Sequence, residues 1–113
     1  MFARVTSLYI QTGLVEKAVD TFKKSIDPVV RTQPGFRGYY LLLDRDGGKA
    51  MTISFWDERD DMVRSETTGY YLKQVAKIRH AFADRPVQEQ YEHCFSCRAA
   101  DDSEKPEVVR RSF

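Results

Sequence analysis

Short stretches of the chain alternate apolar and polar residues with the period of a strand, and between them lie runs whose apolar residues recur at threes and fours. Arg4 to Gln11 (RVTSLYIQ) is rich in β-branched and aromatic residues and reads as a first strand, ended by Thr12-Gly13. Thr12 is placed to cap a helix whose buried stripe is Val15, Val19, Phe22, Ile26 and Val30. Pro28 falls inside that helix. With Asp27 ahead of it, the proline sits where a first helical turn tolerates it, so the pattern predicts a kink rather than an end. Gln33-Pro34-Gly35 is the stop, because proline cannot continue the hydrogen-bond ladder and glycine accepts positive φ. Tyr39 to Leu43 and Met51 to Trp56 then read as two strands joined through Asp46-Gly47-Gly48, a hairpin.

In the second half, Asp57 and the acidic residues after it suit a helix N-terminus, with a short helix over Asp60 to Ser65. Thr67-Thr68-Gly69 breaks it. A longer helix comes next, with Tyr71, Val75, Ile78 and Phe82 on its apolar face and Lys73, Lys77 and Arg79 outside. Asp84-Arg85-Pro86 closes it, and Val87 to Phe95 alternates as a fourth strand. The order β, α, β, β, α, β predicts an α+β fold of the ferredoxin-like kind, a four-stranded antiparallel sheet with its helices on one face. The folded domain is expected over residues 2–95. Residues 96–113 are charged and poor in core side chains, so a flexible tail is expected there. The strands carry apolar residues on both sides, so the face away from the helices needs cover.

A chain of 113 residues is one domain, long enough to bury a core without disulfide or metal staples. Lysine and arginine number 18 against 17 aspartates and glutamates, and a net charge of +1 gives no electrostatic case for nucleic acid. No apolar run approaches the roughly 18 residues that span a bilayer, and the first residues lack a signal-peptide layout; the expectation is a cytoplasmic protein with no membrane partner.

Cys94 and Cys97 have the spacing of a zinc or redox pair. A structural zinc needs four ligands, however, and His80 and His93 are the chain's two histidines. A redox pair should open a helix, whereas Cys94 falls in the expected last strand. Ordinary thiols and no metal are therefore expected. Gly47-Gly48 lies in a hairpin and not between a strand and a helix, so no phosphate loop or nucleotide cofactor is implied.

The first strand ARVTSLYIQTG, the stretch QPGFRGYYLLLDRDGGKAMTISFWDERDDM and the last strand PVQEQYEHCF together resemble the antibiotic biosynthesis monooxygenase family of dimeric α+β barrel proteins. The resemblance covers Phe2 to Phe95 and implies a homodimer in which two sheets face each other, which would cover the second sheet face. It also implies a small apolar or aromatic ligand held between sheet and helices, and an oxidoreductase that works on aromatic or quinol-type molecules with dioxygen and no cofactor. The alternative is a non-catalytic ligand-binding or structural dimer of the same fold. Haem-binding and haem-degrading members form a third group. Their strand asparagine falls at Thr6 and their tryptophan near Ser65, and this chain contains no asparagine and one tryptophan, which disfavours that activity.

The candidate site residues each have a second reading. By the alignment of Thr6 with the family's strand asparagine, the resemblance implies that Arg4 and Thr6 share the helix-facing side of the first strand with Phe2 and Leu8. They would orient a phenolate, carboxylate or carbonyl, or else Arg4 pairs with Glu89 or Glu92 and Thr6 fills space. His80 is the first base to consider, since a neutral imidazole accepts a phenolic proton near neutral pH, or it is a solvated surface histidine. Trp56 stacks a planar ligand or anchors the following helix. Tyr70 and Tyr71 suit a pocket lining. Tyr91 and His93 lie on one face of the last strand, as lining or as residues of the dimer seam.

Overall fold

The computed structural model describes residues 1–100. Strand β1 runs Phe2–Tyr9, β2 Phe36–Asp44, β3 Lys49–Trp56 and β4 Val87–Glu92, and they form one antiparallel sheet in the order β2-β3-β1-β4. Helical segments α1 (Val15–Thr21), a π-turn (Phe22–Ile26) and α2 (Asp27–Val30) connect β1 to β2. Helices α3 (Arg59–Thr67) and α4 (Tyr70–Ile78) and a short 3-10 turn (Arg79–Ala81) connect β3 to β4. This is the ferredoxin-like arrangement expected from the pattern.

The first strand sits two residues earlier than its composition suggests. Phe2 pairs with both Trp56 and Glu92. At the other end Ile10 leaves the ladder, its N–H donating to the Gly48 carbonyl at 2.7 Å, and it keeps a single bridge to Phe82. The fourth strand is shorter than expected and stops at Glu92, so Cys94 lies beyond it rather than within it; Cys94 and Cys97 are free and exposed.

Two expected helix caps are not used. Helix α1 begins at Val15 after Leu14, and α3 at Arg59 after Glu58, neither with a side-chain cap. Asp57 accepts instead from Arg37 on β2. Pro28 does not end the helical layer: it sits in the first turn of α2, which follows directly on the π-turn. The π-turn just ahead of it adds a residue to one turn, and an extra residue rotates the next part of the helix by about 100° about its axis.

Register decides which residues share a face. Arg4, Ser54 and Tyr39 form one cross-strand row, and Thr6, Thr52 and Leu41 the next. These rows face the helices, and a third, Leu8, Ala50 and Leu43, closes the core with Ile10, Ala18 and Ala81. The opposite face carries Val5, Ile53 and Tyr40 in one row and Ser7, Met51 and Leu42 in another. Tyr9, Tyr40, Leu42, Val87 and Tyr91 are exposed. The expected tail lies mostly outside the described residues, beyond residue 100.

Candidate active site

The sheet's helix-facing rows do not close completely against the helices. A cavity of about 80 Å³ remains, floored by Arg4, Thr6, Thr52, Ser54 and Tyr39. Phe22, Ile26 and Val30 wall it from the first helical layer; Tyr70, Tyr71, Gln74 and Val75 wall it from α4. Past Tyr71, Val75, Phe82 and Pro86, residues common to both, lies a wider groove of about 720 Å³ with Arg79 and Arg85 on its walls. The inner cavity by itself is smaller than the roughly 300–1,000 Å³ of small-molecule sites, and with the groove the space falls in that range.

Arg4 is the charged residue at the bottom of this space, only 4 % exposed. Its guanidinium carbon lies 4.6 Å from the Tyr71 ring centroid and 5.2 Å from that of Trp56, so the cation is held between two aromatic rings. Nη1 donates to Ser65 Oγ at 2.8 Å, to Glu66 Oε1 at 3.3 Å and to the Met62 carbonyl at 3.5 Å, all on α3. The expected partners Glu89 and Glu92 are not used, because β4 turns Glu89 to the opposite face and Arg4 instead opposes Gln90. Glu66 is itself fixed by Gln90 and Gln88 from β4, the former donating at 2.8 Å. All the hydrogen bonds of the guanidinium among the described residues come from Nη1, and no sealed side-chain nitrogen or oxygen goes unbonded. Nε and Nη2 are therefore the donors left open toward the cavity.

The remaining polar groups are mostly committed. Thr6 and Tyr71 share a hydroxyl–hydroxyl bond at 3.2 Å. Ser54 Oγ accepts from Trp56 Nε1 at 3.0 Å. Gln74 presents its Oε1 to Lys77 Nζ at 2.8 Å, which leaves its amide N–H groups to other partners. Lys77 also donates to the Ser25 carbonyl and so ties α4 to the π-turn rather than pointing outward. On the far side of the floor, Tyr39 donates to Asp27 Oδ1, while Arg31 holds Asp27 Oδ2 at 2.9 Å. The Tyr39 bond, with Arg31 adding to it, pulls the Asp27 carboxyl below its ordinary value. Burial, with help from the Asp27 bond, pushes the Tyr39 phenol up to about 12. Burial likewise pushes Tyr70 up to about 12, against the opposing pull of the nearby Arg4 cation.

Of the residues expected at a site, the structure brings Arg4, Thr6, Tyr70 and Tyr71 together around one cavity. Trp56 is fully buried beneath Arg4 and is not part of the lining. His80 lies in the 3-10 turn, exposed, with its backbone carbonyl accepting from Gln11; it is not in the cavity wall. Tyr91 is exposed and bonds to Glu89, and His93 packs edge-on to Phe55, both away from the cavity. Tyr39, Asp27, Gln74 and Glu66 were not singled out from the sequence. The strand alternation that groups Tyr39 with Leu41 and Leu43 was available; the π-turn that carries Asp27 to it has no sequence signature. Among the described residues, no three His, Cys, Asp or Glu side chains converge as a metal site.

A four-stranded antiparallel sheet with a cation-floored cavity beneath its helices defines a ferredoxin-like α+β protein. The sequence model of the antibiotic biosynthesis monooxygenase family matches residues 1–77, and the chain belongs to that family. Solved structures share the fold at low identity. A putative antibiotic biosynthesis monooxygenase from Nitrosomonas europaea superposes with a TM-score of 0.69 at 16 % identity, covering 84 % of this chain and 100 % of that one. SnoaB, a cofactor-independent oxygenase from Streptomyces nogalater, gives 0.68 at 19 %, covering 84 % and 94 %. The monooxygenase ActVA-Orf6 of Streptomyces coelicolor, in complex with nanaomycin D, gives 0.69 at 13 %, covering 88 % and 92 %. No curated protein sequence matches the chain. Among the described residues, no helix is long and apolar enough to cross a membrane.

Proposed function

We propose that this chain is a homodimeric oxygenase that holds an electron-rich aromatic or quinol-type molecule between sheet and helices and oxidises it with dioxygen. The observation that carries the reading is Arg4: a buried guanidinium fixed on one side by Ser65 and Glu66, with donors left open toward a mostly apolar cavity. A cation so placed stabilises a phenolate oxygen and lowers the pKa of the hydroxyl it came from. Loss of that proton to solvent leaves an electron-rich ring able to reduce dioxygen; one oxygen atom replaces the hydrogen on a ring carbon and ends as a ring carbonyl, and the other leaves as water, taking up that ring hydrogen and a proton equivalent to the phenolic one. The chain supplies desolvation, orientation and charge stabilisation. The cofactor-independent oxygenase SnoaB, which shares the fold, supports this chemistry as a precedent.

A second reading, a ligand-binding dimer without turnover, is favoured by the position of the histidines, since neither lies in the cavity wall and the chain has no asparagine. Oxygen consumption by the purified protein with a panel of hydroquinones and aryl phenols separates the two. Turnover that falls at least a hundredfold in Arg4→Met supports the oxygenase. Tight binding of the same compounds with no oxygen uptake favours the binding dimer, and neither binding nor uptake overturns both.

A further inference from the structure

Arg4 and Tyr39 stand at the two ends of one cross-strand row, with Ser54 between them, so two strand spacings or about 10 Å separate their backbones. Their hydrogen-bonding senses are opposite and fixed. Arginine only donates. Tyr39 has a single proton, and an ionised carboxylate can only accept, so the bond to Asp27 takes that proton away from the cavity. Arg31 on the other carboxylate oxygen keeps Asp27 ionised and in place. What the Tyr39 oxygen has left is lone-pair density, an acceptor.

We propose that the Asp27–Tyr39 pair is a polarity filter: it makes the β2 end of the cavity accept only a hydrogen-bond donor, while Arg4 at the β1 end takes an acceptor. The ligand class this selects is a planar aromatic with oxygen functions at opposite edges, a hydroxyl toward Tyr39 and a carbonyl or oxyanion toward Arg4. This deepens the proposed function and rests on the cavity being the ligand site. The π-turn gives the pair its geometry, since it sets the rotation at which Asp27 leaves the helix and meets Tyr39. Depression of the Asp27 carboxyl and elevation of the Tyr39 phenol keep the shared proton on tyrosine across the neutral range. Asp27 does not line the cavity and acts through Tyr39, as a positioning residue.

The test is a binding titration by calorimetry under argon, with para-hydroxyacetophenone, its methyl ether, and para-ethylacetophenone, which matches the ether in size without its oxygen. Wild-type protein should bind the hydroxyl compound about tenfold tighter than the ether, the worth of one net hydrogen bond, and the ether no tighter than the ethyl compound. In Asp27→Ala the Tyr39 proton is free to donate, so the ether should gain several-fold over the ethyl compound. Asp27→Asn, whose amide oxygen still accepts from Tyr39, should keep the wild-type order. Tyr39→Phe should bind all three alike.

A merely structural Asp27 would weaken all three ligands together in the alanine variant and leave their order unchanged, and that result overturns the inference. So does a wild-type protein that binds hydroxyl and ether equally, or fails to bind the hydroxyl compound at millimolar concentration; both arms stand even where a variant fails to fold. No step of the test needs turnover. The wild-type order with no oxygen consumption would therefore sink the oxygenase alone, and oxygen consumption without the order would sink the filter alone.

Discussion

Arg4 on β1 and Glu66 on α3 form an ion pair at 3.3 Å, 62 residues apart in the chain, with the arginine almost fully buried and the glutamate mostly so. The pair pins the start of the sheet to the helix that follows β3. It also holds one edge of the guanidinium so that the other edge faces the cavity. Removing the glutamate leaves a buried cation with Ser65 and a carbonyl as its remaining partners. Glu66→Ala is therefore expected to cost on the order of 2–3 kcal/mol. Urea unfolding measured by circular dichroism gives the value, and a loss under about 0.5 kcal/mol would mean the pair is no more than a surface contact.

The sheet face away from the helices carries Val5, Ile53 and Tyr40 in one row, with Tyr9, Leu42 and Tyr91 exposed beside them. A patch of this kind is rarely left open to water. We expect a dimer with this face as its seam, at twice the chain mass of 13.1 kDa by light scattering. Tyr40→Asp, which puts a charge in the middle of the seam, should give monomers with an intact sheet. A wild-type monomer at micromolar concentration would refute the face-to-face arrangement.

Tyr39 and Tyr70 both have phenols pushed up to about 12. A raised pKa means the folded state holds the proton more tightly, so the stabilisation is complete below the ordinary tyrosine value near 10 and is lost as pH rises from there through 12. Asp27 shifts the other way. Its contribution is present above the ordinary 3.8 and fades as the pH falls below that. Ultraviolet difference titration should show part of the phenolate absorbance appearing only near pH 12 in native protein, and that part should be missing in Tyr39→Phe/Tyr70→Phe. Identical native curves for the two proteins would contradict the assignment.

Gly35 ends the first helical layer at φ +75°, and a Cβ there would lie 2.2 Å from Asp61 Oδ2 on α3. Its carbonyl also accepts from the Asp57 N–H at 2.8 Å, which joins the start of β2 to the exit of β3. Gly35→Ala combines left-handed backbone strain of roughly 1–2 kcal/mol with displacement of α3, the helix that carries Ser65 and Glu66. Thermal unfolding should show a clear loss of stability together with weaker ligand binding. Unchanged values for both would show that the loop absorbs the methyl group without moving α3.

The family was read from the resemblance of three longer stretches; the period-two runs and the turn residues around Gly35 and Gly48 were enough to give the order of elements, and with it the sheet. That information is local, because a strand's alternation and a glycine's positive φ depend on near neighbours alone. Alternation put Arg4 and Thr6 on one face, the alignment of Thr6 with the family's strand asparagine made that face the helix-facing one, and helical spacing put Tyr71 on the inner side of α4. Which partner each polar group meets was a different matter. Arg4 found Glu66 rather than Glu89, because antiparallel register turned Glu89 to the other face and brought α3 over β1. His80, the imidazole considered as a base, lies exposed in the 3-10 turn that follows α4 at Arg79, outside the cavity wall. Tyr39 met Asp27 because a single π-turn reset the phase of a helix whose apolar stripe reads as unbroken. Contacts between residues distant in sequence depend on register and helix phase together, and one residue's difference in either changes every partner downstream.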